Sequence, residues 1–277
     1  MSADLHVHTL YSDGTFTPEE VVREAVRIGL EAVAITDHDC IDGISPAMKA
    51  AENTRLEIIP GIEISAVAAD TEIHILGYFI DWHDPVLVEI LRKMKANRVE
   101  RMRKMVKLLN KAGFNIDPEQ VIKSVPEGTI GRLHLARLMC EKGFVRGTQE
   151  AFDRYIGDGK PCSVRHERLD YDRAIKMILD AGGVPVLAHP GVMGNDRYID
   201  DYVKAGLRGL EVYHTDHETP QNGKYLRMAR EKGLVATGGS DCHGMKKGRI
   251  LIGKVRMDHE VVEKLREESG KIRKAHG

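Results

Sequence analysis

Asp4-Leu5-His6-Val7-His8-Thr9-Leu10-Tyr11-Ser12-Asp13-Gly14-Thr15-Phe16-Thr17-Pro18-Glu19-Glu20 contains a complete strand-loop-helix unit. The apolar run from Ala3 to Val7 reads as a strand, and its period-two alternation sets His6 and His8 on one face. Asp13 follows in the loop. Thr17 then stands as N-cap, Pro18 as first helical residue and Glu20 as the third, which opens a helix through about Ile28.

Working outward, Ala32 to Ile35 is a short apolar run suited to a buried parallel strand, Ser45-Pro46 starts another helix, and Leu56 to Ile59 and Thr71 to Ile80 read as strands. The rhythm changes at Asp84-Pro85. A long helix reaches about Ala112, and further helical stretches follow to Lys160 with no strand pattern among them. Alternation resumes at Asp170 with a helix to Asp180, a strand Val184 to Ala188, a helix near Arg197 to Lys204, a strand Gly209 to Tyr213, a helix near Pro220 to Lys232 and a strand Leu234 to Thr237. Repeated strand-helix alternation predicts an α/β protein with a parallel sheet or barrel built from residues 1–85 and 161–277, interrupted by an all-helical insertion at 86–160.

Composition agrees with one compact globular chain. Of its 277 residues 42% are apolar and 30% charged, which excludes disordered and collagen-like classes. No apolar run spans a bilayer and no signal sequence precedes the first strand, so a cytoplasmic location without membrane association is expected. Cys40, Cys140, Cys162 and Cys242 are scattered without metal-binding spacing and read as reduced thiols. The segment 86–160 has 16 Lys and Arg against 9 Asp and Glu, a balance of +7, leaving about −8 for the rest. A basic segment beside an acidic, histidine-rich body suits an anionic substrate drawn to a cation site; a solvated helix face is the plainer alternative.

Nearly every strand is followed by a metal-ligand residue type. After His6, His8 and Asp13 come Asp37, His38 and Asp39 behind the second strand, Glu63 in Pro60-Gly61-Ile62-Glu63, His74 in His74-Ile75-Leu76-Gly77, His189 in Ala188-His189-Pro190-Gly191, and Asp241 and His243 in Ser240-Asp241-Cys242-His243. Any one of these histidines alone reads as hydrogen-bonded structure. In an α/β barrel, however, the carboxyl ends of all strands converge on one face. With Asp37 and Asp39 set aside, nine nitrogen and oxygen donors there exceed the needs of one ion and imply two or three divalent cations, with Mn, Fe or Zn suited to mixed imidazole and carboxylate ligation.

This combination resembles the PHP family, the polymerase and histidinol phosphatase superfamily. The resemblance implies a distorted (β/α)7 barrel and a trinuclear centre: His6, His8, Glu63 and Asp241 around one ion, Glu63, His74 and His189 around a second, Asp13, His38 and His243 around a third. It further implies phosphate ester hydrolysis by a metal-bridging hydroxide, with Asp13, His38 and Glu63 in the catalytic set. Asp37, Asp39 and His217 are candidates to protonate the leaving group or to orient ligands. Within the insertion, Gly131-Arg132-Leu133-His134 at a helix start resembles the phosphate-gripping segment of the subgroup acting on 3′,5′-nucleoside bisphosphates, so Arg132, His134 and His217 are the expected substrate contacts and residues 86–160 the substrate cap. Lys246, Lys247 and Arg249 read as solvated loop charge.

The leading expectation is removal of a phosphate from a small nucleotide, most sharply the 3′-phosphate of adenosine 3′,5′-bisphosphate. A 5′-to-3′ exonuclease on short RNA or DNA uses the same cluster; histidinol phosphatase and a non-enzymatic metal- or nucleotide-binding module are the remaining alternatives. No obligate protein partner is expected.

Overall fold

The computed structural model describes residues 2–69, 71–125, 128–164, 169–193, 196–245 and 248–276; Lys246 and Lys247 lie outside them. The strands are β1 (Ser2–Val7), β2 (Ala32–Ile35), β3 (Glu57–Ala68), β4 (Thr71–Tyr78), β5 (Leu169–Asp170), β6 (Val184–Leu187), β7 (Gly209–His214), β8 (Val235–Gly239) and β9 (Met257–Asp258). The helices are α1 (Pro18–Arg27), α2 (Ile44–Ala51), α3 (Pro85–Lys111), α4 (Pro118–Lys123), α5 (Arg132–Glu141), α6 (Thr148–Ala151), α7 (Tyr171–Asp180), α8 (Pro190–Met193), α9 (Ile199–Lys204), α10 (Thr219–Glu231) and α11 (His259–His276). Together they form a mixed α/β fold around a nearly closed, barrel-like sheet.

The sheet runs β8-β7-β6-β4-β3-β2-β1-β9, with β5 attached to β3. β1, β2 and β3 are mutually parallel, as are β6, β7 and β8. β4 runs antiparallel to both β3 and β6, a departure from the parallel sheet expected. The cause is local: no helix separates β3 from β4, and a parallel return would need a crossover. The strand predicted at Leu56 to Ile59 also continues to Ala68, so Glu63 lies within β3 instead of after it.

β8 and β1 approach one another to close the ring. The His8 N–H donates to the Cys242 carbonyl at 2.9 Å, and Gly239 crosses β1 so closely that a Cβ there would sit 2.3 Å from the His6 Cβ. Asp4, fully buried in β1, accepts from the N–H groups of Ser240 at 2.8 Å, Gly253 at 2.7 Å and His6 at 3.3 Å.

Helices α1, α2, α7, α9 and α10 bury apolar faces against the outside of the sheet, through residues such as Val21, Ala47, Ile178 and Tyr225 packed with Val33, Ile35, Ile64 and Leu210. Thr17 caps α1 with the reciprocal Glu20 contact that the sequence spelled out. A second apolar cluster unites Ala3, Leu5, Ala32, Ala34, Ile59, Leu76 and Val186 with Val262, Leu265 and Ile272 of α11. α11, which the strand-helix pattern above did not predict, lies across the amino ends of the strands: Arg266 pairs with Glu57 at 2.6 Å, and the Ser269 hydroxyl donates to the Gly182 carbonyl at 2.7 Å. Among the described residues, 85–164 hold helices and no strand, and their core, including Met105, Leu109, Leu135 and Met139, forms a third cluster of its own.

Asp4 is the staple of the closure. Asp4→Ala leaves three backbone donors without their acceptor and should cost about 3 kcal/mol of stability; urea unfolding checks this, and a loss below about 1 kcal/mol would show the closure to be held by other contacts.

Candidate metal centre

The first ligands are aimed by an irregularity in β1. Ala3 pairs with Ala32 and Val7 with Ile35, so β1 carries one residue more than β2 over the same span. A bulge of this kind changes the face on which later side chains emerge. Ala3 and Leu5 belong to the apolar cluster that includes α11, yet His6 and His8 meet the other ligands; simple alternation would have set the imidazoles opposite Leu5.

Every residue expected to bind metal reaches one place, with Glu63 at its centre. Glu63 Oε2 lies 3.3 Å from His6 Nε2, 3.2 Å from His8 Nε2 and 3.0 Å from His38 Nδ1. Its Oε1 lies 2.9 Å from His74 Nδ1 and 3.1 Å from His189 Nε2. Asp241 Oδ1 is 3.1 Å from His8 Nε2 and 3.5 Å from His6 Nε2. On the other side Asp13 Oδ1 stands 3.0 Å from His243 Nε2 and 3.9 Å from His38 Nε2. Among the described residues, donor atoms close enough to share an ion fall into groups that include His6, His8 and Asp241; His38, Glu63 and His74; and His8, Asp13, His38 and His243. His38 therefore stands between two groups, one ring nitrogen turned to each. His189 and Asp241 adopt left-handed φ values of 27° and 50°, backbone strain at two of the strand ends that carry ligands.

The arrangement fits divalent cations better than it fits hydrogen bonding. His38 Nδ1 and Glu63 Oε2 are buried and only 3.0 Å apart, yet neither has a hydrogen-bond partner among the described residues. His6 Nε2 and His8 Nε2 face each other at 3.1 Å with carboxylate oxygens alongside. Partners behind the rings hold the outer protons: His6 Nδ1 donates to Glu211 Oε1 at 3.0 Å, His243 Nδ1 to the Asp241 carbonyl at 2.9 Å, and His8 Nδ1 approaches the Ser12 hydroxyl at 3.4 Å. In each case Nε2 is turned inward, and its lone pair faces the cluster once the ring gives up its inner proton.

Charge completes the case. Burial alone would raise the Glu63 carboxyl, but charged imidazoles around it, His74 and His6 among them, hold it well below the usual range, and Asp241 is likewise held low by His243 and His6. Burial opposes charging of His8 and His74, yet Asp241 and Glu63 push His8 up to about 9, and Glu63 and Glu72 push His74 up to about 10. Burial holds His38 down at about 3, keeping it neutral.

Two residues outside the expected ligand set support the cluster. Glu211, fully buried in β7, orients His6 and accepts from the His189 N–H at 2.7 Å. The available signal was a carboxylate between Leu210 and Val212 in an apolar strand. His214 Nδ1 accepts from the Asp216 N–H at 3.1 Å and turns Nε2 to Asp241 Oδ2 at 3.5 Å, supporting that ligand from behind.

Other candidates take different places. Asp37 orients: its Oδ1 accepts from Ser12 Oγ at 2.6 Å and Thr9 N at 2.7 Å, and its Oδ2 accepts from Thr9 Oγ1 at 2.6 Å. Asp39 forms a buried ion pair with Arg98 of α3 and accepts from the Ser65 N–H, which occupies both carboxylate oxygens. His217 is held by the backbone. Its Nδ1 donates to the Val212 carbonyl at 2.9 Å and its Nε2 accepts from the Gly191 N–H at 3.1 Å, so backbone groups take both ring nitrogens. His134 Nδ1 accepts from the Gly131 N–H at 3.0 Å and closes the first turn of α5. Arg132 does open onto the cluster. It lines a cavity of about 180 Å³ with Asp13, His38, His74, Arg98 and Arg101, its guanidinium 2.8 Å from Asp158 and 3.7 Å from Glu72. Arg249 is exposed, as expected of loop charge.

Two outcomes test the centre. Because the pKa values of His8 and His74 are raised above neutrality, both rings hold a proton at pH 7 that ligation must displace. Titrating metal-free protein with Zn²⁺ at pH 7 should release about two protons or more, and affinity should climb as pH rises from 6 to 8; pH-independent binding would remove these rings from the ligand set. Glu63→Gln should lower metal content, read by elemental analysis, by at least about one ion per chain.

The PHP domain family matches residues 4–158, from β1 into the helical segment. The 3′,5′-nucleoside bisphosphate phosphatase of Chromobacterium violaceum is 35% identical over 257 residues, covering 90% of each chain, and the 5′-3′ exoribonuclease of Haemophilus influenzae is 35% identical over 256 residues, covering 91% of this chain and 93% of its own. A crystal structure of a provisionally assigned metal-dependent phosphoesterase from Bifidobacterium adolescentis superposes with a TM-score of 0.88 at 31% identity, covering 96% of both chains. With fold, clustered ligands and relatives in agreement, the chain belongs to the PHP domain family and is a metal-dependent phosphoesterase.

Proposed function

We propose that the enzyme hydrolyses a phosphate monoester of a small nucleotide, the 3′-phosphate of 3′,5′-nucleoside bisphosphates such as adenosine 3′,5′-bisphosphate. The observation that carries this reading is the shared cavity: Asp13, His38 and His74 of the cluster open onto the same space as Arg98, Arg101 and Arg132. Three guanidinium groups opposite carboxylate and imidazole ligands suit a substrate with more than one phosphate. The similarity to the bisphosphate phosphatase supports the same choice. A 5′-to-3′ exonuclease acting on short RNA or DNA is the second reading, supported by the exoribonuclease relative.

In this proposal the chain is a distorted (β/α)7 barrel, in keeping with seven strands of four residues or more, and residues 86–160 form a helical cap over the substrate. His6, His8, Glu63 and Asp241 hold one ion, Glu63, His74 and His189 a second, and Asp13, His38 and His243 a third, with Mn, Fe or Zn as the occupants. Such ions supply Lewis acidity to the phosphoryl oxygens and acidify the attacking water. Glu63 holds two ligand groups at a fixed separation through its two oxygens. Arg132, stacked at 5.8 Å over the Phe152 ring and tethered to Asp158, enters the cavity from the first turn of α5 and orients the phosphate. A cytoplasmic location, where nucleotides are abundant, suits this substrate.

A panel of adenosine 3′,5′-bisphosphate, histidinol phosphate and short 5′-phosphorylated oligonucleotides, tested with Mn-loaded protein, decides between the readings; turnover of histidinol phosphate alone would sink the nucleotide assignment. Arg132→Ala should cost about 2 to 4 kcal/mol in kcat/KM on the bisphosphate, and an unchanged value would remove Arg132 from substrate binding.

A further inference from the structure

Behind the ligand cluster, His6, Glu211 and His214 form a buried group whose donor atoms lie close enough together to hold a cation of their own. The positions of the protons exclude that. His214 Nδ1 accepts from the Asp216 N–H at 3.1 Å, which leaves the ring proton on Nε2 and no lone pair to give on either nitrogen. His6 Nδ1 is likewise spent, donating to Glu211 Oε1 at 3.0 Å. The group therefore acts on the ligands beside it, and Glu211 is the member that touches two of them.

Leu210 and Val212 of β7 pack into the core under the helices, so alternation turns Glu211 to the opposite face, and immediately after it two residues of β7 stand against one of β8. The carboxylate is fully buried and both its oxygens are committed. Oε1 accepts from His6 Nδ1, and Oε2 accepts from the His189 N–H at 2.7 Å. The rings of His6 and His189 lie nearly parallel, their centroids 5.9 Å apart and their planes 20° from one another. The two holds differ in kind. His6 is aimed through its ring, whereas His189 Nδ1 is buried with no hydrogen-bond partner among the described residues, so nothing steadies that ring from behind as the Asp241 carbonyl steadies His243. His189 is aimed through its backbone. Its φ of 27° is a conformation that persists only where the surroundings impose it, and a bond from its N–H to a buried carboxylate is such an imposition.

We propose that Glu211 is a shared positioning residue: one side chain sets the separation between a ligand of the first ion, His6, and a ligand of the second, His189, so that the affinities for both ions depend on it. The proposal rests on the ligand assignment given under the proposed function and deepens it. What the geometry uses is reach as well as charge, because each oxygen meets a donor on a different strand end. His214 makes a natural contrast. It supports Asp241, a ligand of the first ion, and touches no ligand assigned to the second alone.

Binding of Mn²⁺ to the full-length, metal-free protein is followed by equilibrium dialysis with elemental analysis, and circular dichroism checks the folding of each variant. Glu211→Gln matches the side chain in size but sets an amide N–H against one of the two donors. Two of the bound ions should then each require about tenfold or more free Mn²⁺ for half-occupancy. Glu211→Asp keeps the charge and stops one methylene short of both partners; it should weaken the same two ions, whereas a carboxylate acting by charge alone would leave them at wild-type affinity. His214→Gln should weaken one ion. A wild-type chain that binds fewer than two ions would defeat the ligand assignment and the proposal with it. Two or more ions in the wild type, with one or none weakened by the Glu211 variants or two weakened equally by His214→Gln, would overturn the role of Glu211 and leave the assignment standing.

Discussion

One desolvated carboxylate organises the molecule. Glu63 is 1% exposed and has five imidazole nitrogens within 3.3 Å, three around one oxygen and two around the other. A buried carboxylate without compensation is prohibitively costly, and this one is compensated only if strands from both halves of the chain deliver their histidines together. The closure of β8 on β1, the bulge in β1 and the antiparallel return of β4 all serve that delivery. Stability and function are therefore entangled here: the contacts that make Glu63 tolerable are the contacts that hold cations.

Much of this was legible in the sequence, because the relevant signals are local. The capped start of α1, the breaks at Pro85 and Asp170 and the recurrence of ligand residue types behind apolar runs each depend on a few neighbouring residues. What escaped depends on tertiary context. Alternation correctly grouped His6 with His8, but the extra residue in β1 that lets them share a side with Leu5 is defined only by register against β2. The direction of β4 was hidden because Glu57 to Ala68 looked like a shorter strand followed by a ligand loop. His217 and His134 also bond to nearby backbone groups, contacts that no spacing reveals.

The helical segment and the barrel are joined by polar contacts as well as by chain. Arg98 reaches from α3 to Asp39 and Ser65, Arg137 from α5 to the Asp13 carbonyl, and Thr129 to Tyr11. The groups that anchor the helices thus adjoin the loops that carry the ligands. The interior of the segment is apolar and separate from the core of the sheet, so side chains there can vary without disturbing the cluster, whereas Arg98 and Thr129 cannot vary so freely.

α11 lies over the amino ends of the strands and seats Val262, Leu265 and Ile272 among their side chains. That plugs the end of the sheet remote from the ligands with apolar side chains. Substrate and product would then share the cavity that Asp13, His74 and Arg132 line on the helical side, and whatever lodges there delays the exit of anything deeper.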